Sequence, residues 1–466
     1  MPVRFSDEQV VAATGGRRTR SGPRASYGAV CTDTRALSPA CLFVALAGER
    51  FDAHDFLPAA VAAGAAGLVV KAGRAPEALA GNYAVFEVTD TLRALGALGK
   101  FHRARFDVPV GAVTGSNGKT TTKELVAAIL GTRGPALKTT GNLNNEVGVP
   151  LTLFGLGPEH VAAVVELGMS NPGEISRLTE LVQPAAGLIT VVQPAHLHGL
   201  GSLEGVASAK GELFRGLPAG ATAVVNADDA RVKAQAEDCS AKQLTFGRVA
   251  GADVRLARLT SLGRQGLDVG LAFQGKEFRV RLAFVGEHNA LNAAGAFAMG
   301  VALGYRPEEC VAGLETARPF ARRLNLAAAP GGVTVLDDCY NANPSSMGAA
   351  LETVASLARA EGGRAVAVLG DMLELGPDEA AEHLALGEKV GRLVALAAFF
   401  GPRSAAGRES AGLGQAAAHF TEVEPLVAWL RPRLAAKDVV LVKASRGMRL
   451  ERVVEALTGT VGEGGH

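Results

Sequence analysis

The chain lacks an excess of either charge: 47 lysines and arginines stand against 46 aspartates and glutamates in 466 residues. That balance leaves no electrostatic footprint for nucleic acid or an anionic membrane. The chain also lacks an apolar run long enough to span a bilayer. The longest, 59–70 and 293–305, are broken by glycine and read as packed helices or strands. No signal-peptide core is present in the opening MPVRFSDEQVV. Cysteine is scarce, at five (31, 41, 239, 310 and 339), odd in number and without C-x-x-C spacing. Reduced structural thiols in a cytoplasmic protein are therefore expected. Repeats of solenoid period and low-complexity blocks are missing too.

What is present is apolar residues, 48% of the chain, enough for sizeable cores. Length alone gives a prior of roughly three domains. Residues 1–107 are mixed α/β: CLFVALAG and AAGLVV look like strands, 56–64 like a helix, and TLRALGALGKFHRARFD forms an amphipathic helix. From 108 to 316 short apolar runs (HVAAVVELG, AAGLITVV, ATAVVNADD) alternate with helical segments, the pattern of a parallel sheet. DVRLARL, LDVGLAF and EFRVRLAF read as an antiparallel addition, followed by an apolar helix over HNALNAAGAFAMGVALG. A third, Rossmann-like α/β unit follows over 317–466, with strands expected at VTVLDD, RAVAVLGD, LVALAAFFG and DVVLVKAS.

The chemistry centres on VGAVTGSNGKTTTKELVAAIL, residues 110–130. An apolar β-branched run leads into Gly115-Ser116-Asn117-Gly118-Lys119-Thr120-Thr121, and Leu125, Val126, Ile129 and Leu130 then recur at helical spacing. Strand, glycine turn and helix point backbone N–H groups and a helix N-terminus at an anion. Lys119 would add a cation at the outer phosphates, and the Thr120 hydroxyl suits Mg²⁺. The usual phosphate loop has glycine where this chain has Val113, so the sequence points to a particular subgroup of nucleotide sites. The bland alternative is a βα turn with a solvated lysine.

Glu166 ends the strand VAAVVELG, and residues at the carboxyl ends of parallel strands face the ligand crevice. A carboxylate there could share a Mg²⁺ with Thr120; otherwise it is a capping acid. His196 and His198 follow the next strand, His198 reading as a surface residue. Lys210 lies on a helix beginning near Ser202, with Leu203, Val206 and Leu213 on its apolar face. Such a lysine ordinarily snorkels to water; the alternative is a reactive lysine near the metal.

These segments, with TTGNLNNEVGVPLTL, VGEHNALNAAGA, LDDCYNANPSSM and LVKASRGM, resemble the Mur ligases in the same order from about 26 to 456. That family's loop has the form T-G-x-N-G-K-T, which accounts for Val113. The resemblance implies ATP and Mg²⁺ as cofactors. It gives Lys119 and Thr120 to phosphate and metal, Glu166 to the metal, His196 to a second metal, and a carbamylated Lys210 as a further ligand. Asn289 and Asn292 match asparagines near adenine, and Arg323, Asp338 and Tyr340 fall where the third domain closes on the nucleotide. Thr34 and Arg35 match a segment holding the UDP end of the substrate. Asn142, Asn144 and Asn145 match the loop meeting its muramoyl part, and Ser445 and Arg446 lie where the third domain meets substrate. Two departures stand out: Arg322 replaces a common glycine before Arg323, and Ala444 replaces glycine in KASRG.

The implied activity is ATP-dependent amide formation between UDP-N-acetylmuramoyl-tripeptide and D-alanyl-D-alanine, by a cytoplasmic monomer that neither binds nucleic acid nor enters a membrane. DDCYNANPSSM favours the dipeptide, because sister enzymes tend toward D-x-A-H-[TN]-P there. The alternatives are a sister ligase adding one amino acid, a folylpolyglutamate synthase, or a nucleotide-dependent switch without ligase chemistry.

Overall fold

The computed structural model describes residues 4–24, 26–48, 51–75, 79–194 and 200–459. Three α/β units follow one another. The first is a five-stranded sheet in the order Arg17–Arg20, Ala84–Val88, Gly67–Lys71, Leu42–Val44, Val30–Cys31, parallel except at the edge formed by 17–20. Its three inner strands are buried on both faces, which is why they read as continuous apolar runs. The helix Thr91–Arg103 starts where Asp90 accepts from the Leu92 and Arg93 N–H groups. Its glycines let it dock on the second unit: a Cβ at Gly99 would sit 3.0 Å from Pro150 Cα.

The second unit is a nine-stranded sheet. From Ala136–Lys138 it passes through Ala162–Glu166, Val110–Thr114, Ala186–Ile189, Thr222–Asn226, Lys242–Gly247 and Val254–Ser261, all in parallel pairing. Leu267–Phe273 and Lys276–Leu282 then add antiparallel strands, so the antiparallel addition continues the same sheet. Val110–Thr114 lies between strands that leave in opposite directions, the switch point at which open α/β sheets hold ligands beyond their carboxyl ends. Helix Lys119–Leu130 covers this strand and packs against helices His288–Ala302 and Pro307–Thr316.

The third unit is a six-stranded sheet ordered Asn325–Ala329, Val333–Asp337, Val439–Lys443, Ala365–Gly370, Leu396–Phe400, Ala417–Phe420, antiparallel only in its first pair. Its core lies on both faces of the sheet. Helix Pro344–Glu361 runs across one face and closes on Gly362 in the left-handed conformation. The turn joining the second and third units carries two non-glycine residues at positive φ, Arg322 at 63° and Leu324 at 53°. Among the described residues, no helix is long and apolar enough to cross a membrane.

The helix carrying the phosphate loop is positioned by backbone contact. A Cβ at Gly313 would stand 2.4 Å from Ile129 Cα. Glycine to alanine inside a helix ordinarily stabilises by roughly 0.5–1 kcal/mol. Gly313→Ala should reverse that sign and cost about 1–3 kcal/mol, since the two helices must part. Chemical denaturation of the variant and the parent checks it; equal stability would mean the helices are not in register at this contact.

Candidate functional site

A cleft of about 530 Å³ opens at the carboxyl edge of the second sheet and is closed by the third unit. The phosphate loop forms its floor. Gly115 has φ +147° and a Cβ there would lie 1.8 Å from Thr190 Oγ1; Gly118 has φ +79° and a Cβ would lie 2.5 Å from Asn292 Oδ1. Only glycine meets both demands. The loop is braced from the neighbouring strand: Ser116 N donates to Val191 O at 2.8 Å, Thr190 Oγ1 to Asn117 O at 2.6 Å, and Ser116 Oγ to Gln193 O at 2.7 Å. Lys119 Nζ curls over it, donating to Gly115 O at 2.7 Å. Helix Lys119–Leu130 has no side-chain cap on its first turn, so its N-terminus faces the cleft.

Glu166 is buried at the end of its strand, its N–H donating to Thr139 Oγ1 and its Oε1 accepting from Asn144 Nδ2 at 2.9 Å. Its Oε2 is buried with no hydrogen-bond partner. The orphaned carboxylate oxygen and the Thr120 hydroxyl, both buried and lining one cleft, are hard donors of the kind Mg²⁺ takes, the remaining positions being left to phosphate and water. Among the described residues no group of three or more His, Cys, Asp or Glu side chains could hold a metal alone. His196, expected as a ligand, and His198 lie outside the described residues.

Lys210 sits on helix Leu203–Arg215, 2% exposed, and lines the same cleft. Burial pushes its amine well below the usual lysine range, and the charge of Lys119 pushes the same way. Lys119 is also held below its ordinary value, chiefly by burial, with Arg323 adding to the effect and Glu166 opposing it. Lys119 and Arg323 thus bring positive charge to the loop side of the cleft, an arrangement that favours a polyphosphate.

The third unit contributes Arg323, stacked 4.2 Å over the Tyr340 ring, with its Nε buried and unpartnered. Asp338 accepts from Leu324 N and from Lys443 Nζ, the latter at 2.6 Å. Asn289 donates to Val285 O and accepts from Asn292 Nδ2 at 3.0 Å. The cleft therefore gathers Ser116 to Thr121, Asn144, Asn145, Glu166, Lys210, Asn289, Asn292, Arg323, Asp338 and Tyr340.

Other candidates lie elsewhere. Thr34 and Arg35 form a short 3₁₀ turn of the first unit, Arg35 exposed and paired with Asp33. Asn142 is exposed, while Asn145 Oδ1 also accepts from the N–H of Gly148, where helix Gly148–Leu153 begins. Ser445 is buried, accepting from Leu373 N, and Arg446 is exposed and paired with Glu451. Sequence reasoning overlooked Thr190, Gln193, Asn343 and Lys443, which line the cleft. Lys443 carried the signal that marked Glu166, a charged residue ending an apolar strand. Asn343 stood in an Asn-Pro step, a helix-start signal.

The Mur ligase family accounts for the chain in three matched segments: the family's catalytic-domain model over 26–103, its middle domain over 113–300 and its glutamate ligase domain over 322–446. The chain is 39% identical over 437 residues to the UDP-N-acetylmuramoyl-tripeptide–D-alanyl-D-alanine ligase of Escherichia coli, covering 92% of this chain and 93% of that one. A crystal structure of MurF from Acinetobacter baumannii superposes with a TM-score of 0.90 at 34% identity, over 98% of this chain and all of that one (100%). The MurF ligase of Thermotoga maritima in complex with ADP superposes at 0.81 with 28% identity, over 92% and 96% of the two chains.

The loop geometry has a direct consequence. Gly115→Ala must displace Thr190 or flip the loop, so nucleotide affinity should fall by about 10²-fold or more, the scale of losing several loop amide contacts. Calorimetric titration with ADP on the folded variant checks this. Parent-like affinity would show that the loop does not hold the phosphates.

Proposed function

The chain belongs to the Mur ligase family, and from that premise we infer that it joins D-alanyl-D-alanine to UDP-N-acetylmuramoyl-tripeptide, with ATP, in peptidoglycan precursor synthesis. One observation carries the reading. A phosphate loop of Mur form opens into the same cleft as Glu166, Lys210 and Arg323, in a chain whose near-full-length relatives bear that ligase's name. The units 1–107, 108–316 and 317–466 divide the work into holding the UDP end, binding ATP, and closing on ATP while receiving the dipeptide. Asn142, Asn144 and Asn145 support the muramoyl end, and Ser445 with Arg446 the dipeptide side. We assign a monomer working in the cytoplasm; the five free thiols support a reducing compartment.

A carboxylate does not condense with an amine near neutral pH because oxide is a poor leaving group. The tripeptide carboxylate therefore attacks the γ-phosphorus: a P–O bond forms, the bond to ADP breaks, and an acyl phosphate results. The dipeptide amine then attacks the acyl carbon. Phosphate leaves with the C–O electron pair, and the amine proton passes to phosphate or water. The loop amides and Lys119 hold the phosphates in line and offset charge on the oxygens; Arg323 adds a cation from the third unit. Thr120 and Glu166 would hold Mg²⁺, with His196 and Lys210 assigned to a second ion. When bound, such ions supply charge neutralisation to phosphoryl transfer. No nucleophilic side chain is needed.

The environment of Lys210 supports a carbamate. CO₂ adds to a neutral amine, a nitrogen proton passing to solvent as the N–C bond forms, and burial beside Lys119 favours the neutral form. The product is an anionic hard-oxygen group, in keeping with the cations around it.

ATP turnover by this protein should require UDP-N-acetylmuramoyl-tripeptide and D-alanyl-D-alanine together; the lysine and diaminopimelate tripeptides assayed in parallel identify the third residue. Slow hydrolysis indifferent to the dipeptide would turn the reading to a nucleotide switch. Lys119→Ala should lower kcat by about 10²-fold or more while remaining folded. Lys210→Ala should be nearly inactive, partly restored by short-chain carboxylates. ¹³C-labelled bicarbonate should give a carbamate NMR signal in the parent and not in Lys210→Ala. A parent without that signal would remove the carbamate from the scheme.

A further inference from the structure

The hydrogen bonds that cross the cleft converge on one side chain outside the expected site. Asn343 Nδ2 donates to Asn117 Oδ1 at 2.8 Å, and Asn117 Nδ2 donates to Asn343 Oδ1 at 3.3 Å. The pair is a reciprocal amide clasp between the middle of the phosphate loop and the third unit. Both ends are fixed. Asn117 Nδ2 also donates to Gln193 Oε1 at 2.6 Å, and its backbone carbonyl accepts from Thr190 Oγ1. Asn343 caps helix Pro344–Glu361, its Oδ1 accepting from Ser346 N at 2.9 Å while its own N–H donates to Ser346 Oγ at 3.0 Å.

We propose that Asn343 is a positioning residue, whose amide transmits the seating of the phosphate loop to the third unit and so links nucleotide binding to closure of the cleft. The helix it caps is 18 residues long, and Met347, Leu351 and Val354 root it in the third unit's core. A displacement at its first turn therefore moves the domain and not a loose loop. The loop at the other end is equally constrained, because Asn117 lies between two glycines whose conformations no other residue takes easily. At its far end the same helix meets the second unit through Arg264 and Glu361, 3.1 Å apart and partly exposed. That surface pair holds the units side by side but touches nothing in the cleft. The proposal rests on the nucleotide-binding part of the function above.

Asn343→Ser separates the two jobs of the side chain, since serine caps a helix well and is too short to reach Asn117. Asn343→Asp is the second version, keeping the cap oxygen while removing the donor. ADP is the probe, titrated into the full-length chain, with small-angle scattering of the ADP-bound form. Two amide hydrogen bonds of ordinary strength correspond to about a tenfold loss of affinity. Asn343→Ser and Asn117→Ala should each show it, the bound radius of gyration should rise in both, and the double variant should be no weaker than the worse single. Arg264→Ala should bind as the parent does, because exposed ion pairs contribute little. Thermal midpoints of the Asn343 variants should stay close to the parent's. Parent-like ADP affinity and scattering in both Asn343 variants overturns the clasp, as does a double variant in which the two losses multiply. If the parent binds ADP with this pattern but does not ligate, the ligase reading fails and the clasp stands. If the parent ligates while its Asn343 variants bind ADP normally, the clasp fails and the ligase reading stands.

Discussion

The cleft depends on one steric constraint: the turn from Thr114 to Lys119 must bring backbone N–H groups to a polyphosphate, and nothing larger than hydrogen fits at Gly115 or Gly118. The neighbours that impose this are themselves parts of the site. Thr190 fills the space beside Gly115 and holds the Asn117 carbonyl, while Asn292 fills the space beside Gly118 and is held by Asn289. The shape of the loop, the strand after it and the helix His288–Ala302 are thus mutually determined. A position that looks like a glycine preference in the sequence is a packing contact between three elements.

Charge supplies the second constraint, and it explains why the third unit must sit where it does. Lys119 and Arg323 bring two cations to the cleft, Arg323 pushing the Lys119 amine down, while the charge of Lys119 helps hold Lys210 toward its neutral form. The two cations are poorly satisfied by Glu166 alone and well satisfied by several phosphate oxygens. Arg323 reaches the cleft because the chain turns sharply just before it, with Arg322 at φ 63°. A left-handed arginine costs on the order of 1–2 kcal/mol, and the Mur resemblance leads one to expect glycine there. The turn is held by Tyr340 N donating to Arg322 O and by the Arg322 guanidinium 3.6 Å from Glu451. Hinge geometry and cleft geometry therefore share residues, since Tyr340 also stacks on Arg323. The other departure, Ala444, is buried against Gly370, where an added Cβ would lie only 2.7 Å from the alanine methyl. The extra methyl fits because its neighbour is glycine.

Much of this was legible in the sequence, and the legible parts have a common physical origin. Buried parallel strands are apolar on both faces, so Val110–Thr114, Ala162–Glu166, Ala365–Gly370 and Val439–Lys443 stood out as continuous runs. Strands with exposed or half-buried positions have no such signature. Arg17–Arg20 is exposed at all four positions, Ala136–Lys138 is half-buried throughout, and Lys242–Gly247 begins with exposed polar residues. In the site, Lys119, Thr120, Glu166 and Lys210, each singled out from a local motif, line the cleft. Thr190, Gln193 and Asn343 were not singled out, because their roles exist only between elements distant in the chain. Asn343 is 226 residues from Asn117, and no local pattern records that distance.

Asn144 shows how the same limit can hide a contact. Its loop motif points to the substrate, yet its side chain holds Glu166, and a Cβ on Gly168 would lie 2.8 Å from its Oδ1. Behind Glu166 the support continues inward: Thr139 takes the Glu166 N–H on its hydroxyl, and its carbonyl accepts from Lys123 Nζ at 2.6 Å. Lys123 is 1% exposed and is paired with Glu124, so a buried cation is charge-paired while anchoring the strand beside Glu166. The result is a carboxylate held at one oxygen by Asn144 on a braced strand end, its other oxygen buried and without a partner in the wall of the cleft. Held this way, the oxygen need not be ordered when a cation and phosphates arrive, and the entropic cost of orienting it has already been met in folding.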